Sequence, residues 1–107
     1  MTPEERYESL VESIVAASPA ARIGHGKGFG STGQLKVDGK IFAMLVRGKL
    51  VVKLPGDRVA ALVDSGDGQP FDAGKGKPMR EWLEVSPTSP RSWLDLAREA
   101  MAFVSRR

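Results

Sequence analysis

No cysteine and a single histidine, His25, occur in this sequence, which closes off most side-chain chemistry at once. Thiolate zinc sites, thiol nucleophiles and disulfide frameworks all need cysteine. Histidine pairs that bind transition metals or relay protons need a second imidazole. His25 stands between Gly24 and Gly26, a setting expected to be solvent-exposed, and no role is assigned to it. A serine or threonine nucleophile would have to take its base from carboxylates or lysines, and no G-x-S-x-G elbow is present. The expectation is a protein that binds rather than catalyses, with no metal and no cofactor.

Two glycine-rich stretches invite a phosphate-binding reading. Gly28-Phe29-Gly30-Ser31-Thr32-Gly33 matches the bare G-x-G-x-x-G pattern, but that motif works when it follows a strand and opens a helix whose N-terminus holds a pyrophosphate. Here the glycines follow a helical segment and lead into a strand, so a tight turn is the better reading. Gly74-Lys75-Gly76-Lys77 places two ammonium groups on a permissive backbone, a setting suited to clamping a phosphate. It lacks the G-x-x-x-x-G-K-[ST] spacing of a P-loop, and a plain surface loop is the alternative.

Charge is unevenly spread. The first 21 residues carry four acids and one base, residues 22–58 carry eight bases and two acids, and the remainder balances to leave a net charge of +3. Alternation in the strand segments puts Leu35, Val37, Leu50, Val52, Leu54, Met79, Leu83 and Val85 on one side. Lys36, Lys49, Lys53, Arg80 and Trp82 then share the other. Lysines meeting phosphates beside an aromatic that stacks on a base is how single-strand binders work. The same face also suits a protein partner or a second copy of the chain, or lysine stems simply covering Val51 and Trp82. The candidate partner-binding residues are therefore Lys36, Lys49, Lys53, Lys75, Lys77, Arg80 and Trp82.

These residues need elements to hold them. Thr2-Pro3-Glu4-Glu5 has the form of a capping box with proline at the first helical position, and Tyr7, Leu10, Val11, Ile14 and Val15 follow at helical spacing. That helix is expected to end near Ser18-Pro19, before a loop from Gly24 to Gly33. Leu35 and Val37 flank Lys36, Asp38-Gly39 offers a type I′ hairpin turn, and Ile41 to Val46 is continuously apolar. Arg47-Gly48 makes a second turn into Lys49 to Leu54, completing a three-stranded meander. Asp57 is expected to cap a short helix bearing Val59, Leu62 and Val63. Gln69 to Pro78 reads as loop around Phe71, Met79 to Val85 as a fourth strand, and Ser89-Pro90 as the start of a closing helix with Trp93, Leu94, Ala97, Ala100, Met101 and Val104 inward. Without alternating strand-helix units, the class is α+β with an antiparallel sheet, the three-stranded meander plus a fourth strand, packed with N-terminal, short central and C-terminal helices. Residues 1–107 are expected to form one domain.

The longest wholly apolar run has six residues, far below the roughly 20 a membrane span needs, so no membrane contact is expected. Glu4, Glu5, Glu8 and Glu12 stand where a secretory signal would carry bases, and a cytoplasmic location is the expectation.

Gly28-Phe29-Gly30, Val37-Asp38-Gly39-Lys40-Ile41-Phe42-Ala43, Leu50-Val51-Val52-Lys53, Pro70-Phe71 and Trp82-Leu83-Glu84-Val85 together resemble the TfoX/Sxy N-terminal domain family, and strand and helix order is similar to the related YjbR/MmcQ group. The resemblance covers nearly all of the chain after Arg22. It departs from the family where Gly28 replaces the usual methionine. It implies a stand-alone α+β domain with a bacterial, competence-type role in transcription regulation, with nucleic acid or a DNA-bound protein as partner, a homodimer as a further option, and no catalytic residues.

Overall fold

The computed structural model describes residues 2–18, 20–24, 34–71, 79–86, 89 and 91–105. Helix α1 (Pro3–Ala17) begins with the expected capping box: Thr2 Oγ1 accepts from the Glu5 amide at 3.1 Å and Glu5 Oε1 accepts from the Thr2 amide at 3.0 Å. Those bonds hold the Glu5 carboxyl below its usual range. Tyr7, Leu10 and Ile14 are buried and Val11 is half-buried. Val15, expected on the same stripe, is 40% exposed; one residue beyond Ile14, it lies about 100° further round the helix.

Six strands follow in one sheet: β1 (Ala21–Gly24), β2 (Gln34–Val37), β3 (Lys40–Val46), β4 (Lys49–Lys53), β5 (Gly68–Phe71) and β6 (Met79–Val85). Their spatial order is β1-β2-β3-β4-β6-β5, with every neighbouring pair antiparallel. The predicted meander is β2-β3-β4 and the predicted fourth strand is β6. Two short edge strands, β1 and β5, are added to it. Neither has a strong local signal, since β1 ends in glycine and β5 carries glycine, glutamine and proline; pairing with β2 and β6 decides their conformation. Both meander turns have two left-handed residues, Asp38 and Gly39 at φ 53° and 76°, and Arg47 and Gly48 at φ 50° and 78°, as a type I′ hairpin requires.

Helix α2 (Gly56–Asp64) starts differently from expectation. Pro55 is the N-cap and makes no side-chain cap bond, while Asp57 lies inside the first turn, its Oδ1 accepting from the Arg58 amide at 3.0 Å. Proline already fixes the backbone for helix entry, so the strand can end and the helix begin without Asp57 as cap. Helix α3 (Trp93–Ser105) is opened by Ser92, whose Oγ accepts from the Asp95 amide at 3.2 Å, rather than by Ser89-Pro90.

All three helices lie against one face of the sheet. Their buried residues, Tyr7, Leu10 and Ile14 from α1, Val59 and Leu62 from α2, and Trp93, Leu96, Ala97, Ala100 and Val104 from α3, join Leu35, Val37, Leu50, Val52, Leu54, Leu83 and Val85 in a single core. The Tyr7 hydroxyl donates to the Ala43 carbonyl at 3.5 Å, and burial pushes the phenol well above its usual pKa. Arg6 covers the Trp93 ring at 3.9 Å from its centroid. The Met79 side chain, expected in this core, lies outside the described side chains.

Candidate functional site

Every residue of the second apolar cluster comes from a strand. Met44, Val51 and Phe71 are buried in it, with Val46 and Trp82 half-buried beside them. It occupies the sheet face away from the helices, since Met44 and Val51 alternate with the core residues Leu45, Leu50 and Val52. The continuously apolar run of β3 is thus explained: it is buried on both sides.

Register then fixes the polar groups around that cluster. Lys53 pairs directly with Trp82 across β4 and β6, and Val51 with Glu84. Lys53 Nζ stands 5.5 Å from the Trp82 ring centroid, within range of a cation–π contact. Lys49, expected among the basic residues of this face, lies 3.7 Å from Glu84 Oε2, and that buried carboxylate also accepts from Gln69 Nε2 at 2.5 Å. The face is therefore divided. Its centre is neutralised by the Lys49–Glu84 pair, and at the Trp82 end Lys53 and Arg80 stand with Glu81.

Two irregularities in the sheet shape that end. Between β2 and β3 the register passes from Leu35 opposite Ala43 to Lys36 opposite Ile41, leaving Phe42 as the extra residue of a bulge. Phe42 turns into the helix-side core, and Ile41, which strict alternation from Ala43 would send there, lines a cleft with Lys53 and Trp82. Re-aiming a side chain is a common effect of a bulge. That cleft, of about 470 Å³, is also lined by Gly39, Lys40 and Val104, so it opens where the first hairpin turn, the end of β4 and the end of α3 converge.

On the other flank, β6 leaves β5 after Leu83: Pro70 is opposite Leu83 but Phe71 is already opposite Met79. The intervening Arg80, Glu81 and Trp82 line a second cleft of about 420 Å³ with Gly56 at the start of α2. Arg80 lies against Gly56 there; a β-carbon on Gly56 would come within 3.1 Å of Arg80 Nε. Trp82 lines both clefts. Of the predicted site residues, the structure brings Lys53, Arg80 and Trp82 together at this end, places Lys36 beside Ile41 in the ladder, and commits Lys49 to Glu84. Lys75 and Lys77, with His25 and the Gly28 to Gly33 motif, lie outside the described residues.

Sequence reasoning missed Ile41, Lys40 and Gly56 as cleft residues. No local pattern marks a bulge at Phe42 within an unbroken apolar run, and Gly56 joins Arg80 only through the docking of α2.

The other charged groupings bind elements to one another. Asp67, buried between the end of α2 and β5, accepts from Ser65 Oγ at 2.5 Å, Ser89 Oγ at 2.8 Å and Arg91 Nε at 2.8 Å. These bonds, that of Arg91 first, lower its pKa to about 2. Arg58 of α2 forms a forked pair with Glu99 of α3 at 2.7 and 3.3 Å, which raises the guanidinium pKa further. Among the described residues, no three His, Cys, Asp or Glu side chains come together as a metal site, and no helix is long and apolar enough to cross a membrane.

Fold and surface together define a two-layer α+β domain with its helices on one side and a divided basic and aromatic sheet face on the other. No family model, no curated protein and no solved structure matches the chain.

Proposed function

We propose that this protein is a non-enzymatic binding domain whose recognition surface is the Trp82 end of the helix-free sheet face. The observation that carries the reading is the position of Trp82, half-buried in the strand-only cluster, lining two adjoining clefts and flanked by Lys53 and Arg80. Trp and Arg are the residue types enriched where contact surfaces carry most of their binding energy, and here Trp82 and Arg80 line one cleft. The ion-paired carboxylates Asp67, Glu84 and Glu99 each bridge elements of the fold, which argues for scaffolding roles rather than acid–base work.

The resemblance to the TfoX/Sxy domains supports placing this binding in transcription regulation of the competence type, in the cytoplasm, with a protein, a second copy of the chain or a nucleic acid as partner. Backbone amide shifts of the ¹⁵N-labelled protein test the surface. They would be followed while its own concentration is raised and while oligonucleotides and acidic and basic peptides are added. Shifts centred on β3, β4 and β6 near Lys53 and Trp82 are expected; shifts centred on α1 or around Asp67 would move the site elsewhere.

A further inference from the structure

The two clefts differ in lining but share one wall. On one side of Trp82 stand Ile41, Lys40 and Lys53; on the other stand Arg80, the carboxylate-bearing Glu81 and the start of α2. Adjacent strands are about 4.8 Å apart and alternate residues of one strand about 6.6 Å apart, so a ligand passing from Lys53 on β4 to Trp82 on β6 and then along β6 to Arg80 would meet cation, aromatic ring and cation in turn over about 11 Å. A linear polyanion with flat, unpaired rings has that alternation built into it. The helical side has the opposite character, with Glu4, Glu5, Glu8 and Glu12 of α1 all exposed, so a polyanion is steered away from the helices and toward the sheet. From this placement, and resting on the reading of Trp82 as the recognition surface, we infer that the clefts on either side of Trp82 take two successive nucleotides of a single-stranded nucleic acid.

Each part of the site has a task in that complex. The Trp82 ring offers a face for a base to stack on, which accepts any base because every base has a π-face. Lys53 and Arg80 meet the phosphates before and after it, and Ile41 supplies apolar contact for the neighbouring base. Paired bases cannot reach the ring, so a duplex gains only the charge attraction. Lys49, bound to Glu84, contributes little.

The test is fluorescence anisotropy of labelled dT12 and rU12 strands and of a 12-base-pair duplex, at about 50 and 200 mM salt, with unlabelled long-chain inorganic polyphosphate as competitor. With two or three phosphates neutralised, the logarithm of single-strand affinity is expected to fall with the logarithm of salt at a slope of about −2, and the duplex should bind about tenfold more weakly. Trp82→Ala should weaken single-strand binding about tenfold or more, Trp82→Phe should restore most of it, and Lys53→Gln should weaken it several-fold. Lys49→Gln should leave it within about twofold. Equal DNA and RNA affinity is expected from stacking and charge alone.

No single-strand binding at about 50 mM salt, equal affinity for the duplex, full competition by polyphosphate with no effect of Trp82→Ala, or Lys49→Gln acting as strongly as Lys53→Gln would each overturn the inference. If oligonucleotides do not bind but amide shifts near Trp82 follow protein concentration or added peptide, the inference falls while the wider reading of the surface stands. Absence of all of these responses removes both.

Discussion

Nε of Arg91 lies 2.8 Å from Oδ2 of Asp67, joining the approach to α3 to the exit of α2 across 24 residues of chain. Ser65 and Ser89 complete the cage, and the backbone follows the same path, with Ser86 donating to the Asp67 carbonyl at 2.8 Å. Because these bonds favour the charged carboxylate, its folded pKa of about 2 lies below the ordinary value of about 3.9. The unfolded chain therefore binds the proton first as pH falls. The stabilisation is fully present above about pH 4 and is lost as pH drops through about 2. Thermal melts from pH 7 to pH 2 should show Asp67→Asn well below the parent at neutral pH, with the gap closing over that acid window. A constant gap at every pH would show that the charge is not what matters.

Gly68 tolerates no side chain. A β-carbon built there runs into the Glu84 carbonyl oxygen and the Leu83 side chain, and a backbone atom of a paired strand cannot move aside as a flexible side chain would. Gly68→Ala is expected to destabilise the fold by about 3 kcal/mol, the upper part of the overpacking range, measured by urea unfolding. Gly39→Ala makes a useful comparison, because its β-carbon meets nothing within 4 Å and only the backbone at φ 76° is strained.

The forked Arg58–Glu99 pair spans α2 and α3 with both side chains more than a third exposed. Solvent screens such a pair, so a double-mutant cycle with Arg58→Met and Glu99→Gln is expected to give a coupling of about 0.5 kcal/mol. It should shrink toward zero in about 1 M salt.

Tyr7 is the only tyrosine in the chain, and it is fully buried with its hydroxyl turned to the Ala43 carbonyl. Its phenol pKa is raised by burial, so the unfolded chain releases that proton first and stability falls as pH rises above about 10. Absorbance at about 295 nm should show no phenolate wave near pH 10 until unfolding sets in. Tyr7→Phe should remove this alkaline loss and cost about 1 kcal/mol at neutral pH for the missing hydrogen bond.

The meander was readable because its signals are local. Asp38-Gly39 and Arg47-Gly48 carry their turn geometry in their own residue types, and Thr2 with Glu5 encodes the helix start within four positions. β1 and β5 were not readable, because four residues with a single strong β-former each, Ile23 and Phe71, become a strand only when a partner edge is offered. Alternation placed Lys53 and Trp82 on the helix-free face, where the structure has them, but it assigns no side to Phe42 and Ile41 within an unbroken apolar run, and there the bulge sets the outcome. The charge of the face was overstated because Glu84, which alternation places on the same side of β6 as Arg80 and Trp82, was not counted there; that it meets Lys49 depends on β4–β6 register, which joins distant stretches of chain. Arg80 and Trp82 share a face in the sequence pattern, but their shared cleft needs Gly56 and therefore the docked helix.

Pro70, in the outermost strand β5, has no amide hydrogen to offer. An incoming strand seeking to extend the sheet on that side would find a broken donor row only four residues long, and the bulge opposite Arg80 to Trp82 bends the border further. Lateral growth into ordered aggregates is disfavoured there. The clefts beside Trp82, one strand in from that border, are thereby left without a neighbouring chain's strand to seal them.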